Sequence, residues 1–572
     1  MDDILKIVKE EIETYRTGGK DIVEGYSFSP YKLIRRIMLY KNQIYPTGKF
    51  DSQNNYKYWF DIITPRGSSE IKNIDFDTKD ISLYSEDIKN DFLKIQISDL
   101  KLKEWLKDTG QAEKLNEAVE IGTEFGNVVW KRLKNDYEVM QLNKFMVLNI
   151  TAKSLEESDV IEEANMLSSD LRRKTDIWEN VEDLIKTAPV NETPEFFIYE
   201  RNGEVSEKVY NKIKNKKEGK EDKFVLTKII VGGVKEGKPS HILFSDEMNE
   251  MPYKEYHRSS YSGRWFREGI YETLLDIQTR ANEIGNQIAR GLEYSSKVIF
   301  TGEDKLIVQN ITTDLVNGDY IKAKDLHQVE VRLQGLDQLI VDWNRLMDLA
   351  DKLANSYEVV TGESLGSAVP FRLGAMMNQN AGKLFDFIRE KLGIAFQGVI
   401  ADWILPEMLK DLKLQDVVKL TSDSGILNKY YKAVADDWYI KNLTYLPPHT
   451  EEQAMQIKED KLQELMQNKE ANVELSKDMW KDFIPKVRVN IVGENYNLMA
   501  ELETLNSFIA LEQDPIRRTA LIEIAMRKKG LDVDSLPKTP PVQEQPQDEE
   551  LNSLVDQQLQ GFKNKNKGRE NK

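Results

Sequence analysis

The four histidines are the first side chains to test for chemistry, because imidazole binds metals and transfers protons near neutral pH. They are His241, His257, His327 and His449, and consecutive members of this set are at least sixteen residues apart. No pair has the four-residue spacing that places two histidines on one helix face. The chain has no cysteine, which excludes disulfides, thiol catalysis, zinc ribbons and iron–sulfur clusters. The sequence therefore predicts no metal site.

Nucleotide and acid–base motifs are equally weak. "TGGK" at residues 17–20 resembles the end of a phosphate-binding loop, but the upstream glycine and a preceding Val/Ile-rich strand are missing. A turn is the simpler interpretation. Neighbouring acidic residues at 2–3, 75–77 and 436–437 are expected by chance among 97 Asp and Glu residues. We therefore expect no catalytic residues, no cofactor and no enzymatic activity.

The composition is that of an acidic chain with a sizeable core. It has 572 residues, a net charge of −17 and 40% hydrophobic residues, and this length suggests about three to five structural units. No stretch approaches the ~18 consecutive apolar residues of a membrane span. The start, "MDDILKIVKEEIE", is acidic and predicts no signal peptide.

The elements that would position any site alternate between helical and extended patterns. Apolar residues three or four positions apart predict helices in "DIKNDFLKIQISDLKLKEWLK" and "SLEESDVIEEANMLSSDLRRKTDIWENVEDLI". The stretch between them predicts two strands with a turn at Asn135-Asp136. From 190 to 262 the period becomes two, with turns at Asn202-Gly203 and "VKEGKP". We expect an α+β fold, mainly helical, with an antiparallel β segment at 190–262.

The longest helical pattern is "RWFREGIYETLLDIQTRANEIGNQIARGLE", from Arg264 to Glu293. Its apolar residues form one stripe: Phe266, Ile270, Leu274, Ile277, Ala281, Ile284, Ile288 and Leu292. They predict about 27 helical residues, roughly 40 Å long. We expect copies of the chain to bury this stripe, because a small core of one chain could not cover its length.

Two further long helices follow, separated by unusual segments. The compact piece 297–333 predicts short strands, and a second helix containing Trp343 comes after it. The stretch "TGESLGSAVPFRLGAMMNQN" at 361–380 is rich in Gly and Ser, contains a proline, and predicts a loop before a third helix from Ala381. Long loops that carry aromatic and methionine side chains are often functional. The Pro-, Gln- and Glu-rich end predicts disorder or transient helix.

The order of these parts resembles the portal proteins of tailed double-stranded DNA bacteriophages, most of all those of the crAss-like group. The residues that carry the resemblance are "SGRWFREGIYETLLDIQTRANEIGNQIARG" and "SYEVVTGESLGSAVPFRLGAMMNQNAGKLFDFIREKL". It covers roughly residues 190–410 well and the flanking regions loosely. The specificity lies in the order of the elements, since no short motif defines these proteins.

The resemblance implies a portal fold with the following parts: a wing at 1–262, a stem helix at 263–296, a clip at 297–333, a second stem helix at 334–358, a tunnel loop at 359–380, a wing helix at 381–440, a helical crown at 441–536 and a disordered tail at 537–572. It also implies three groups of site residues. The tunnel-loop candidates are Glu363, Ser364, Leu365, Phe371, Arg372, Met376 and Met377. The clip candidates for partner contacts are Lys305, Lys322 and Lys324. The stem residues expected to pack subunits together are Ile270, Leu274, Ile277, Ile284, Ile288 and Trp343.

The implied function is a ring of usually twelve subunits at one capsid vertex, through which the genome is packaged and ejected. The implied partners are other copies of the chain, double-stranded DNA in the channel, the large terminase, the head–tail adaptor and the major capsid protein, with no membrane. The implied location is the virion, after assembly in the host cytoplasm. Twelve copies would carry a charge near −200, which would let DNA slide without tight binding. Two alternatives stay open: another phage assembly protein, such as a scaffold or minor capsid component, and a phage DNA-processing enzyme.

Overall fold

The two largest antiparallel sheets lie in the N-terminal half of the chain, and long helices follow them. The computed structural model describes residues 2–74, 76, 78, 81–85, 88–134, 136–189, 194–214, 222–296, 299–301, 327–329, 335–355, 371–414, 417–419, 451–467, 472–474 and 485–489, together with residues 431, 432, 434–436, 438, 439, 442, 483 and 509. The mixture of helices and separate antiparallel sheets confirms the α+β class.

Helices dominate the first 125 residues. The elements in this region are α1 (Asp2–Thr17), β1 (Lys20–Val23), β2 (Tyr26–Phe28), α2 (Pro30–Lys41), α3 (Ile63–Ile74), β3 (Ile81–Tyr84), α4 (Ile88–Asp108) and α5 (Gln111–Phe125). Helix α2 shows why such segments form: Ser29 caps it by accepting a hydrogen bond from the Lys32 backbone N–H, and Pro30 occupies the first turn. Helix α4 confirms the first helix predicted from the sequence.

The strands that follow build two sheets. They are β4 (Asn127–Arg132), β5 (Tyr137–Val139), β6 (Phe145–Val147), β7 (Val160–Leu167), β8 (Glu195–Ser206), β9 (Phe224–Gly233), β10 (His241–Glu247) and β11 (Tyr253–His257), with the short helices α6 (Ser168–Arg172), α7 (Val181–Lys186) and α8 (Glu207–Ile213) between them. One sheet has the order β10-β9-β8-β7-β6 and the other β11-β4-β5, and all pairs are antiparallel. The predicted pairs β4–β5 and β9–β10 are confirmed.

Two predictions in this region are wrong. Residues 160–167 were expected to be helical but form β7, because pairing with β8 along the whole of β7 outweighs their helical period. The predicted turn at Asn202-Gly203 is absent, since β8 continues through both residues and pairs with β7 and β9 on either side. Gly203 is needed for a close approach instead: a β-carbon there would collide with the Asp159 carboxylate.

The long helices begin at other residues than the sequence suggested. They are α9 (Ile270–Ser296) and α10 (Leu336–Ala354), joined through β12 (Ile299–Thr301) and β13 (His327–Val329), which pair antiparallel. Helix α9 starts six residues after Arg264. The reason is that the Trp265 N–H donates to the Ile150 carbonyl and the Arg267 N–H donates to Asn127 Oδ1, so neither takes part in a helix.

Helix α11 (Phe371–Val399) begins ten residues before Ala381, so the second half of the predicted tunnel loop, 371–380, is helical. Proline at position 370 directly precedes this helix, and the ten residues themselves contain no proline. A π-helical turn, Ile400–Ile404, joins α11 to α12 (Leu405–Leu414). The remaining elements are β14 (Val417–Lys419), α13 (Glu451–Gln467), β15 (Asn472–Glu474) and β16 (Lys486–Val489).

The main hydrophobic core joins these helices to the three-stranded sheet. Phe396 of α11 is fully buried, with its ring centroid 5.9 Å from that of Phe76, 6.1 Å from that of Trp130 and 5.6 Å from that of Tyr137. The predicted strand near 486 is confirmed as β16, and it pairs with β3. Part of the segment assigned to a crown therefore packs with the N-terminal region, and Val487 belongs to this same core.

Candidate functional site

Helix α9 is the best candidate for a functional element, and three amide side chains hold it to an extended segment. Gln278, Asn282 and Asn286 are spaced four residues apart on one face of the helix. Each side-chain oxygen accepts a hydrogen bond from a backbone N–H of the segment. Gln278 accepts from Ile62 at 2.8 Å, Asn282 from Phe60 at 2.9 Å, and Asn286 from Tyr58 at 2.7 Å. Gln278 and Asn286 also donate to the carbonyls of Phe60 and Tyr58, at 2.6 and 2.9 Å.

We call this arrangement the amide ladder. It forms because the spacing of the amides along the helix matches the spacing of the backbone groups along the extended segment. Four helical residues advance about 6 Å, and two residues of an extended strand advance about 6.6 Å. Each amide therefore meets the next backbone group that faces the helix. Segment 58–62 is paired as a strand would be in a sheet, although its partner is a helix. All three amides are buried or nearly so.

We predict that Asn282→Ala lowers the free energy of unfolding by about 1–2 kcal/mol, because the N–H of the half-buried Phe60 loses its acceptor. Gln287→Ala is the matched control, since it removes an exposed amide from the same helix. Urea unfolding of both variants would measure the difference. Equal stabilities for the two variants would show that the ladder does not hold the segment.

Most of the apolar stripe of α9 is buried by other parts of its own chain. Ile270, Leu274 and Ile284 are at most 1% exposed, and Ile277 is 8% exposed. Ile288 is half-buried. The partners are residues of α2, α3 and α10, with the segment around Ile62. The premise that a helix of this length needs other copies of the chain to bury its stripe is therefore wrong, and contacts between subunits would have to use other faces.

Helix α10 packs on α9 and leaves such a face open. Trp343 lies half-buried with its ring edge-to-face on Phe60, at a centroid distance of 5.2 Å. On its outer side Ile340, Val341, Leu349 and Leu353 are between 42% and 67% exposed. The two long helices thus form one packed unit that presents apolar side chains to solvent.

The N-terminal end of α9 contacts a buried acid. Glu124 is 4% exposed, and its Oε1 lies 2.6 Å from Lys41 Nζ. Burial raises the pKa of Glu124 above its ordinary value, while Lys41 opposes the shift. The folded protein therefore holds this proton more tightly than the unfolded chain does.

We predict that Glu124→Gln removes a pH dependence of stability. Because the folded-state pKa is raised, the contribution of Glu124 is fully present below the ordinary pKa of 4.5 and is lost as pH rises through the folded value. The wild type should lose stability relative to Glu124→Gln as pH rises above 4.5. Melting temperatures between pH 4 and 8 measure this, with Glu113→Gln, at an exposed position of the same helix, as control. Parallel pH profiles for wild type and Glu124→Gln would contradict it.

A second buried cluster joins the two sheets. Lys131 Nζ of β4 lies 2.6 Å from Glu162 of β7 and 2.9 Å from Glu200 of β8. The Tyr253 hydroxyl donates to Glu162 and also accepts from Asn202 Nδ2 at 2.6 Å. Burial raises the pKa of Glu162. Burial acts in the same direction on Glu200, but Lys131 and Lys228 hold its pKa below the usual value. The charged groups of the cluster are paired with one another, although Asn202 Oδ1 is buried without a hydrogen-bond partner. The cluster therefore fixes the sheets and offers no free base.

A cleft of about 1130 Å³ lies beside these sheets. Its carboxylates are Glu11, Glu156, Glu157, Asp159, Glu204, Glu250 and Asp402. Among the residues that the structure describes, Lys254 is the one lysine that lines the cleft, and its ammonium pairs with Asp402. The excess of negative charge makes this cleft unsuited to phosphate ligands.

Many of the predicted site residues cannot be placed. Glu363, Ser364, Leu365, Lys305, Lys322 and Lys324 lie outside the described residues, as do 537–572 and most of 441–536. Phe371, Arg372, Met376 and Met377 fall in the first turns of α11, where the backbone alone is described. The amide ladder was missed, although Gln278, Asn282 and Asn286 at i, i+4 and i+8 were a visible signal.

One catalytic motif was also missed. Gly362-Glu363-Ser364-Leu365-Gly366 fits the G-x-S-x-G pattern of a serine nucleophile. That motif requires a strand directly before the serine and a helix after it. Helix α11 follows at Phe371, but the last described element before the motif is helix α10, which ends at Ala354. The motif lies outside the described residues, and this context gives it no support.

No protein-family model and no curated protein matches the chain. Among the described residues, no group of three or more His, Asp or Glu side chains could hold a metal ion. Within the same residues one helix, Lys383–Lys410, could cross a membrane by length and composition, with 44% of its most apolar window buried. Core helices of soluble proteins pass the same test, so this is weak support for a membrane role.

Proposed function

We propose that this chain is the portal protein of a tailed double-stranded DNA bacteriophage, a ring-forming conduit for the genome. The observation that supports it best is the unit formed by α9 and α10. Two long helices pack on each other, and the chain between them returns through the short antiparallel pair β12–β13. This is the order stem, clip, stem that the sequence resemblance implies.

The exposed side of α10 supports a ring. Since its own chain already covers most of the α9 stripe, the exposed apolar residues of α10 are available to contact another subunit: Ile340, Val341, Leu349 and Leu353. A neighbouring copy of the chain would cover these side chains. When such a head-to-tail contact repeats, the copies close into a ring if the rotation from one subunit to the next divides a full turn.

The chemistry of the surface supports a conduit in preference to an enzyme. The acidic cleft repels phosphate, and the described residues offer no metal cluster for phosphodiester hydrolysis. In this proposal the ring carries DNA, ATP hydrolysis belongs to the terminase, and the adaptor and the major capsid protein bind at the capsid vertex.

The deciding test is negative-stain electron microscopy of the purified protein at high concentration, with native mass spectrometry of the same sample. We expect rings with a central hole and a mass near twelve chains. Val341→Asp should weaken the rings without unfolding the chain, because Val341 is 67% exposed. Monomers with metal-dependent nuclease activity would overturn the proposal in favour of a DNA-processing enzyme.

A further inference from the structure

An open cavity lined by aromatic side chains lies at the C-terminal end of α9. It encloses about 810 Å³, which is within the range of ligand-binding cavities. The residues that matter here are Phe50, Tyr56, Tyr58 and Trp59 from the segment before α3, and Ala289 and Arg290 from α9. The cavity shares no lining residue with the acidic cleft, so it is a separate candidate for binding.

Three of these aromatic rings are exposed and form a row. Phe50, Tyr56 and Tyr58 are between 50% and 55% exposed. The ring centroids of Phe50 and Tyr56 are 5.8 Å apart and those of Tyr56 and Tyr58 are 5.5 Å apart, with both pairs edge-to-face. The outer rings of this aromatic row are therefore at most about 11 Å apart. Such a group of exposed aromatic side chains favours contact with a partner.

The backbone that carries the aromatic row is held in place. Phe50 and Tyr56 form an antiparallel bridge, and the Asp51 carboxylate accepts hydrogen bonds from two backbone N–H groups of the loop between them, both at 2.8 Å. Arg290 pairs with Asp51, and the amide ladder holds Tyr58 to α9. A ligand would meet a preformed surface, so binding would cost little conformational entropy in the protein.

Two buried polar atoms of the lining lack a partner, and both are hydrogen-bond donors. Among the described residues, neither Trp59 Nε1 nor Arg290 Nε has an acceptor. A ligand that suits them brings acceptors and needs few donors of its own. A polyproline II segment has this character, because its carbonyls make no internal hydrogen bonds and its prolines have no N–H.

The charge around the aromatic row is positive. Lys49 is exposed and Lys57 is half-buried, and neither makes an ion pair within the described part of the chain. The carboxylate between them, Asp51, is paired with Arg290. With Glu293, which also lines the cavity, two carboxylates face three cations. This excess favours a ligand that carries acidic groups.

The chain itself contains a segment with these properties. The stretch "PKTPPVQEQPQDEE" at 537–550 has prolines at 537, 540 and 541, followed by acidic residues at 544 and 548–550. It lies outside the described residues. Prolines three positions apart lie on one face of a polyproline II helix, about 9.3 Å from each other. This spacing is close to the length of the aromatic row.

We propose that the aromatic row binds the proline-rich segment 537–550 of a neighbouring copy of the chain. The proline rings pack on the aromatic rings, as in other grooves that bind polyproline II segments. The acidic residues that follow lie near Lys49 and Lys57. Since the row and the segment are different surfaces, the contact links copies head to tail. This inference rests on the proposed function for its source, because assembly into a ring keeps copies adjacent.

The first experiment measures fluorescence anisotropy of a labelled synthetic peptide, residues 535–550, with a full-length host variant. In the host, Pro537, Pro540 and Pro541 are all replaced by alanine, so that its own segment does not compete. We expect the peptide to bind, and Tyr56→Ala in the same host should weaken binding at least about tenfold, as for a central aromatic contact. Tyr26→Ala is the matched control, since it truncates a 76% exposed tyrosine outside the cavity and should leave the affinity unchanged.

A control peptide and a salt series test the chemistry of the contact. The same peptide with alanine at its first three proline positions keeps every charge and should not bind. Raising the salt from about 50 mM to about 500 mM should weaken binding of the native peptide severalfold, because exposed charges are screened. Equal binding of both peptides, or binding of neither, overturns the proposal. So does binding of single-stranded oligothymidylate that Tyr56→Ala abolishes, without peptide binding, which would assign the row to nucleic-acid bases.

A second experiment identifies the source of the segment by cross-linking, which is simple in a chain without cysteine. Ala289→Cys places a thiol in the lining of the cavity, and Thr539→Cys places one between the prolines. After mild oxidation, the double variant should give disulfide-linked multimers on a non-reducing gel, and a mixture of the two single variants should give dimers. Adding Tyr56→Ala should abolish both products. A cross-link within one chain overturns the neighbouring copy as the source.

The outcomes separate this site from the portal proposal. Rings seen by microscopy, without peptide binding and without cross-linked multimers, overturn the site and leave the portal function. Peptide binding that depends on Tyr56, with cross-linked multimers that never close into rings, keeps the site and removes the portal function.

Discussion

Replacing Arg201 with methionine is expected to lower the free energy of unfolding by about 1.5–3 kcal/mol, because the change removes the buried cation that binds two partly exposed acids. The Arg201 side chain is 3% exposed. Its Nε and NH2 each lie 2.9 Å from a Glu11 oxygen, and NH2 lies 2.6 Å from Asp159 Oδ2. It therefore ties α1 to β8 and to the turn that precedes β7.

Urea unfolding followed by tryptophan fluorescence would measure the effect of Arg201→Met. Arg172→Met is the matched control, since the Arg172–Glu182 pair is more than half exposed on both sides and such pairs contribute little. If the two variants unfold at the same urea concentration, Arg201 is not the cation that holds α1 in place.

Phe396→Ala is expected to cost about 3–5 kcal/mol, the usual effect of deleting a buried aromatic ring. The Phe396 ring meets Phe76, Trp130 and Tyr137, so its loss leaves a cavity where α11 packs on the three-stranded sheet. These partners come from β4, from β5 and from the connection between α3 and β3, so they cannot all move in to fill the space.

The matched control for this prediction is Phe387→Ala on the same helix, where the ring is 54% exposed. Thermal unfolding should show a large loss for Phe396→Ala and little change for Phe387→Ala. Comparable losses would mean that α11 is held by its outer face and not by the aromatic cluster.

The sequence pattern predicted the strand pairs whose two members are neighbours along the chain. The β4–β5 pair and the β9–β10 pair follow from strand runs separated by short polar turns. Strand β16 was visible as an alternating run, but its partner β3 lies about 400 residues away in the sequence. No periodicity in one sequence identifies a pairing at that distance.

The errors arise where tertiary contacts outweigh local preference. Residues 160–167 have a helical period, yet β8 offers them a full set of backbone partners. Gly203 looked like a turn glycine, but it makes room for Asp159. Helix α9 starts late because Asn127, far away in the sequence, accepts the Arg267 N–H.

The candidate sites were predicted in part. The apolar stripe of α9 and its length were visible in the sequence, but what covers it was not, since α2, α3 and α10 are remote in sequence. The contact between Lys391 of α11 and the Arg258 carbonyl could not be predicted at all. The two residues are 133 positions apart in the chain, and they meet only in the folded structure.

The amide ladder has a consequence for how this protein can change over evolutionary time. Its hydrogen bonds join three helix side chains to main-chain groups of segment 58–62, so the bonds themselves do not involve the side chains of that segment. A substitution at Tyr58, which is 55% exposed, keeps the bonds unless the new residue is proline, which lacks the donor. The exposed end of the segment can therefore acquire new surface chemistry, and with it new contacts, while Gln278, Asn282 and Asn286 and the buried Ile62 keep the segment in place.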